Sequence, residues 1–168
     1  MKNFIIRRKI AVMAVVILMI FICEASAQEN PRENFFIAPL GETLGYGWNG
    51  IAYGGGAAIG AGTGGALGVR FLYAVDNENI SFFEINVFAR FYVFGREAFY
   101  GPFVQLNAGP VIYADSNFDS QSYGNISAGL TTGWRFLTGR YFYIEPTVRV
   151  GYPYLMGGGF SVGVQWGS

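Results

Sequence analysis

One long alternating segment, residues 80–94, constrains the fold of this chain more than any other feature. One file of alternate residues is wholly apolar, and the other carries Glu84 and Arg90 among aromatic residues. Because successive side chains of a strand point to opposite faces, this pattern predicts a strand with one apolar and one mixed face. The alternation lasts about 13 residues, whereas soluble strands have about 5–6 and bilayer-spanning strands about 9–11. We therefore expect a membrane-spanning strand whose charges face a protein interior.

The composition is that of a charge-poor chain of one-domain length. The chain has 168 residues, of which 52% are hydrophobic and 13% are charged, whereas average domains carry about 25% charged residues. Its 25 glycines and 18% aromatic residues suit short turns, tight barrel walls and interfacial belts. After the first 27 residues the chain has seven Arg, ten acidic residues and no Lys. This balance gives no basic patch, so nucleic acid is not an expected partner.

Residues 1–27 have the pattern of a cleavable signal peptide. Four basic residues precede an unbroken apolar run over residues 10–22, and Ala25-Ser26-Ala27 is a small-residue cleavage pattern. The run is shorter than the about 20 residues of a transmembrane helix. The alternative is a retained anchor. With the signal removed the chain has no cysteine, which excludes a disulfide framework.

The remaining residues, 28–168, are predicted to form one domain of eight strands. The first strand is the weakest, because Pro39 interrupts it and the alternation is lost near Gly41. The connections sort into short turns at one end and a set at the other that includes the longest polar loop, residues 115–123. The predicted strands lie at residues 35–47, 53–62, 66–75, 80–94, 99–114, 125–137, 141–152 and 158–166.

This strand pattern leaves one way to cross a membrane. Every backbone amide in lipid must be paired, so only helices and closed barrels can span it. No segment after the signal reaches 18 consecutive apolar residues. The sequence therefore predicts an all-β fold, an eight-stranded antiparallel up-and-down transmembrane β-barrel preceded by a cleavable signal peptide.

The inward files of the predicted strands place six charged side chains inside the barrel. An eight-stranded barrel is just wide enough for side chains to fill, so charges inside it must be paired. We expect a polar plug rather than a narrow polar channel, with the ion pairs centred on Glu84, Arg90, Glu145 and Arg149. The predicted lumen charge network consists of Arg70, Glu84, Arg90, Arg135, Glu145 and Arg149.

Aromatic residues near the predicted strand ends are expected to form girdles at the two membrane interfaces. Aromatic rings with a polar tip are enriched at this level of a bilayer. The predicted interfacial aromatics are Trp48, Tyr73, Tyr100, Tyr113, Trp134, Tyr141, Tyr152 and Trp166.

The sequence indicates no cofactor and no metal site. His, the commonest general base and metal ligand, is absent from the chain. A Gly-x-Gly-x-x-Gly spacing at residues 60–65 precedes another strand rather than a helix, so it is read as a hairpin instead of a dinucleotide site. Residues 115–119 have the opening spacing of a calcium loop, but the Gly and Glu that complete such a loop are missing.

These features together resemble the small eight-stranded outer-membrane barrels of the OmpA transmembrane-domain and OmpX type. The resemblance rests on the signal, the eight alternating strands, the short turns on one side and a last strand ending F-S-V-G-V-Q-W, and it covers nearly all of the chain after the signal. In that family the last strand ends in an aromatic residue that the barrel-assembly machinery recognises, which implies this role for Trp166. It also implies a bacterial outer-membrane location with outer-membrane lipid as a partner.

The resemblance implies a non-enzymatic protein that supports envelope structure or surface interaction. Outer-membrane lipid A deacylases are similar in fold but use a His–Ser pair, which a chain without His does not supply. Two alternatives remain: a narrow small-solute channel, and a soluble secreted lipid-binding barrel of lipocalin type with the apolar file facing inward. No pattern in the chain indicates an oligomeric state.

Overall fold

Eight antiparallel strands close into a single barrel in the computed structural model, which describes residues 34–46, 50–77, 80–94, 99–115 and 122–167. Each strand pairs with the next along the chain, and the last pairs with the first. The predicted up-and-down barrel is therefore confirmed. The strands are β1 Asn34–Tyr46, β2 Gly50–Gly62, β3 Gly65–Asp76, β4 Ile80–Tyr92, β5 Gly101–Asp115, β6 Ser122–Thr138, β7 Phe142–Tyr152 and β8 Met156–Gly167. The predicted signal, residues 1–27, lies outside the described residues, as does Trp48.

Exposure alternates along most of each strand and gives the barrel an apolar outside, although Ala89 on the outward file of β4 is buried. On β4, Phe83 and Val87 are exposed, whereas Glu84 and Arg90, on the other file, are buried. Among the described side chains of the eight strands, no charged residue lies on the outward file. The described residues contain no helix long and apolar enough to cross a membrane.

The connections differ from the prediction at two places. The segment predicted as the longest polar loop is shortened, because β5 extends to Asp115 and β6 begins at Ser122. The longest connection is instead residues 93–100, at the barrel end where β1 begins and β8 ends. Val93 and Phe94 are both exposed, so the alternation ends with β4. Phe99, at the other end of this connection, is buried inside the barrel. The expected sorting of short and long connections is therefore wrong at this turn.

Three prolines lie in the interior of strands, away from the strand starts. Pro39, Pro110 and Pro146 are all exposed on the outward file. Each is paired with one neighbouring strand and lies at a gap in the ladder to the other: β1–β8, β4–β5 and β6–β7, respectively. The gap follows from the chemistry of proline, which has no N–H to donate to a ladder.

Inward glycines make room for the ring systems that fill the barrel. A Cβ added at Gly60 would lie 2.8 Å from two ring carbons of Phe36, and one added at Gly163 would overlap the phenol of Tyr143. The aromatic side chain of one strand thus occupies the space that the glycine of a neighbouring strand leaves open. This exchange lets large rings fit inside an eight-stranded wall, whose interior is only wide enough for side chains.

Candidate functional site in the barrel lumen

The middle of the lumen holds a layer of charged side chains, and every one is at least nine-tenths buried. All six residues of the predicted charge network are in this layer, and Glu42 of β1 joins them. Glu42 was missed because its neighbours on the outward file are Gly41 and Thr43, which hide the apolar–polar alternation. Counting every second residue from Phe36 along the strand would have placed Glu42 on the inward file. The buried charges are Glu42, Arg70, Glu84, Arg90, Arg135, Glu145 and Arg149.

One ion-pair cluster is built around Glu145 on β7. Its Oε2 atom accepts from Arg90 Nη1 on β4 at 2.8 Å and from Arg135 Nε on β6 at 2.8 Å. Arg90 Nε also donates to Gln105 Oε1 at 2.7 Å, and Arg135 Nη1 donates to Gln165 Oε1 at 3.2 Å. We call this set the Glu145 cluster. It joins five strands across the lumen.

A second ion-pair cluster is built around Arg149 on β7. Arg149 donates from both terminal nitrogens to the two carboxylate oxygens of Glu84 on β4, with Nη1 to Oε2 at 3.1 Å. The same Nη1 lies 3.7 Å from Glu42 Oε2, and that oxygen also accepts from Arg70 on β3. We call this set the Arg149 cluster. It connects β1, β3, β4 and β7 through the barrel interior.

Uncharged polar side chains complete the layer. Asn86 donates to Glu84 and accepts from Ser127 Oγ at 2.7 Å. Gln105 donates to Asn107, which in turn donates to Thr131 Oγ1 at 2.9 Å. Such bonds matter because a charged pair away from water is stable when its remaining hydrogen-bonding groups are also met.

Aromatic rings contact the guanidinium groups of the two arginines in the Glu145 cluster. The Arg90 guanidinium carbon lies 4.1 Å from the centroid of the Phe103 ring, and that of Arg135 lies 4.3 Å from Phe36. A guanidinium within about 6 Å of a ring centroid is attracted by the negative face of the ring. These rings therefore serve both the packing of the lumen and the placement of its charges.

The barrel end where β1 begins and β8 ends is closed by an apolar cluster, the terminal-end cluster. Its rings pack against the arginines of the Glu145 cluster. Phe99 enters it from the β4–β5 turn, fully buried and with a left-handed φ of 48°. Phe99 stacks on Tyr92 at 5.1 Å and meets Phe36 edge-on at 6.3 Å. The cluster consists of Phe36, Ala38, Ala58, Ala66, Phe88, Tyr92, Phe99, Phe103 and Tyr143.

The other end of the lumen is closed in the same way by a loop-end cluster. Tyr154, from the β7–β8 turn, is 2% exposed and stacks on Phe82 at 4.8 Å. Its hydroxyl donates to Tyr113 Oη at 3.4 Å. The cluster consists of Leu44, Ala52, Leu72, Ala74, Phe82, Val111, Tyr113 and Tyr154. The charged layer is thus enclosed between two apolar clusters.

Tyr113 is a correction to the predicted girdle. It is 4% exposed and packs inside the barrel against Phe82, with 5.8 Å between the ring centroids. It shares the inward file of β5 with Phe103, Gln105 and Asn107, and this position in the file decides its direction. Nearness to a strand end was the wrong criterion, because an aromatic residue there can point either way.

Two solved structures identify the fold. The N-terminal β-barrel domain of Pseudomonas aeruginosa OprF matches with a TM-score of 0.55 and 16% identity, over 79% of this chain and 97% of that one. Neisserial surface protein A matches with a TM-score of 0.50 and 13% identity, over 79% and 95% of the two chains. The fold is that of the small eight-stranded outer-membrane β-barrels. No protein-family model and no curated protein matches the sequence.

The other predicted interfacial aromatics that the structure describes point outward from this outer-membrane barrel fold. Those toward the loop end are Tyr73 and Tyr152. Those toward the terminal end are Tyr100, Trp134, Tyr141 and Trp166. Trp134 stacks on Phe136 at 5.8 Å, and Trp166 lies against Phe35 of β1 at 5.3 Å. The outer surface therefore carries rings at two levels with apolar side chains between them.

The arrangement of faces contradicts the orientation that a soluble lipid-binding barrel requires. Such a carrier keeps its apolar file inside around the lipid and its charges in water. Here the large apolar side chains of the outward file, including Val87, Val148 and Val162, are exposed, and the charges are buried. Among the described residues, no group of His, Cys, Asp and Glu is placed to hold a metal ion.

Proposed function

We propose that this protein is a non-enzymatic integral protein of the bacterial outer membrane with a plugged lumen, which supports envelope structure or surface interaction. The observation that carries the plug is the enclosure of the charged layer between the terminal-end and loop-end clusters. A solute that passed through would have to displace both clusters and separate the ion pairs between them.

The outer surface supports the membrane location. The outward files carry no charge among the described strand residues, and an Arg or Lys at the bilayer midplane costs about 2–4 kcal/mol. Exposed rings at two levels suit the two interfaces of the bilayer. Outer-membrane lipid is the partner that this surface fits.

Assembly into the membrane is proposed to involve the last strand. Trp166 ends the outward file of β8 and remains exposed beside Phe35. β8 also closes the barrel by pairing with β1. A terminal strand with an accessible aromatic residue is what the resemblance assigns to the barrel-assembly machinery.

A non-enzymatic role is supported by the chemistry of the lumen. The chain has no His, and the buried carboxylates of Glu84 and Glu145 are both engaged by arginines. Groups held in ion pairs beneath apolar clusters are poorly placed to meet a substrate. The proposed role is therefore one of structure and surface contact.

A narrow small-solute channel is the second candidate, favoured by the continuous polar layer and by a cavity of about 30 Å³ within it. Recording from planar bilayers separates the two. Wild-type protein, shown to be inserted by resistance of its barrel to protease, should give no steady unitary conductance. A reproducible conductance that scales with salt would overturn the plug and establish the channel.

A further inference from the structure

A small cavity lies inside the barrel where the two ion-pair clusters meet. Its volume is about 30 Å³, and its lining includes Glu42 and Arg70 of the Arg149 cluster, Arg90 and Glu145 of the Glu145 cluster, and Tyr143. A water-sized particle requires about 10–15 Å³ by this measure. The cavity therefore has room for one or two small particles and for nothing larger.

Two residues of the cavity lining each have a buried side-chain atom without a hydrogen-bond partner. Arg70 Nε and Tyr143 Oη are buried and unpaired, and Arg135 Nη2 is a third such atom among the described residues. The Arg135 guanidinium carbon lies 3.7 Å from the centroid of the Tyr143 ring, so it is close to the same region. Each of the three atoms carries a hydrogen to donate. Buried hydrogen-bond donors normally have an acceptor, so we expect an acceptor to be bound at this site.

The buried layer also carries an unbalanced charge. Among the described buried side chains there are four arginines and three glutamates, an excess of one positive charge. The excess belongs to the Glu145 cluster, in which Arg90 and Arg135 share one carboxylate oxygen of Glu145. An uncompensated charge away from water is unfavourable. Water would satisfy the donors but would leave this charge uncompensated.

We propose that the cavity binds one small monovalent anion of the size of chloride. The anion accepts from Arg70 Nε and Tyr143 Oη and offsets the positive charge of the Glu145 cluster. The carboxylates of Glu42 and Glu145 in the lining do not oppose it strongly, because arginines already engage both. The small volume favours a single-atom anion over the larger sulfate. The proposal is independent of the membrane role, since it concerns the inside of the barrel.

Anomalous diffraction tests the site directly. The protein is refolded in detergent and crystallised with sodium bromide in place of chloride. The expected result is one bromide peak in the lumen, within hydrogen-bonding distance of Arg70 Nε and Tyr143 Oη. Density there without anomalous signal would mean water, and an empty cavity would mean a dry void. Either result would overturn the anion site.

Thermal unfolding in detergent gives a test in solution at constant ionic strength, with sodium bromide compared against sodium sulfate. At a bromide concentration ten times Kd, linkage predicts a rise in the transition temperature of roughly 4 °C. Tyr143→Phe removes one proposed donor and should reduce this shift. Tyr113→Phe removes a hydroxyl of the loop-end cluster and should leave the shift unchanged. No bromide effect on the wild type, or equal loss in both variants, would contradict the proposal.

Discussion

Arg149 on β7 spans the lumen to bind both carboxylate oxygens of Glu84 on β4, a residue 65 positions earlier in the chain. The same guanidinium reaches Glu42 on β1. One side chain thus connects three strands that are not neighbours in the barrel wall. The wall is held by backbone ladders, whereas the shape of the interior is held by contacts of this kind.

Loss of Glu84 alone is expected to be costly. Glu84→Ala leaves Arg149 with the more distant Glu42 and should lower the free energy of unfolding by about 3–5 kcal/mol. The double variant Glu84→Leu with Arg149→Leu removes both charges and should cost less than the single change. Urea unfolding in lipid vesicles, followed by Trp fluorescence, measures each value. A double variant less stable than Glu84→Ala would show that the pair itself is strongly stabilising.

Val87→Arg tests the lipid-facing surface. Val87 is 51% exposed on the outward file near the middle of β4. If it lies near the bilayer midplane, the arginine should lower stability by about 2–4 kcal/mol and reduce the assembled fraction. The matched control is Asn77→Arg in the exposed β3–β4 turn, which should assemble normally. Assembly can be measured as the folded fraction recovered from vesicles. Equal recovery of both variants would exclude the assigned orientation.

Gly163→Ala tests the packing of rings against glycines. An added Cβ would overlap the phenol of Tyr143, which is enclosed by the terminal-end cluster. Overpacking of this kind costs about 1–3 kcal/mol. Gly124→Ala is the control, because a Cβ there meets nothing within 4 Å. The two free energies of unfolding should differ by the packing cost, and equal values would mean that the ring moves aside freely.

Detergent resistance tests the closed barrel as a whole. Eight ladders, including the closing β1–β8 pair, should keep the folded protein intact in a denaturing gel until it is heated. Boiled and unboiled samples should therefore migrate differently. Identical migration, together with recovery of the protein in the soluble fraction, would remove the basis for a membrane barrel.

Much of the architecture was accessible from the sequence because a period of two assigns every residue of a strand to a face. The eight strands and the faces of Glu84, Arg90 and Val87 follow from it. The partners of these charges do not, since a contact across the lumen depends on register and on the lengths of side chains from distant strands. Glu42 was hidden because glycine and threonine replaced apolar residues on the outward file of β1.

The inward direction of the two aromatic residues that enter the barrel ends could not be predicted from the period of two, for a different reason. Phe99 and Tyr154 belong to turns, where the direction of a side chain is set by local backbone dihedrals rather than by alternation. An aromatic residue in a turn looks the same in sequence whether it faces lipid, water or the lumen. The closure of the lumen, and with it the preference for a plug over a channel, therefore became visible through the structure.

The three prolines in strand interiors interrupt three of the eight ladders that form the barrel wall. Their gaps fall on the β1–β8, β4–β5 and β6–β7 ladders, whereas the other five ladders run without a missing pair. The barrel is consequently one four-stranded panel with continuous ladders, β1–β4, and two hairpins, β5–β6 and β7–β8. These three panels are joined along three seams, the ladders that lack pairs. Deformation of the cylinder by the surrounding bilayer would concentrate at those seams, and each panel would move as a unit.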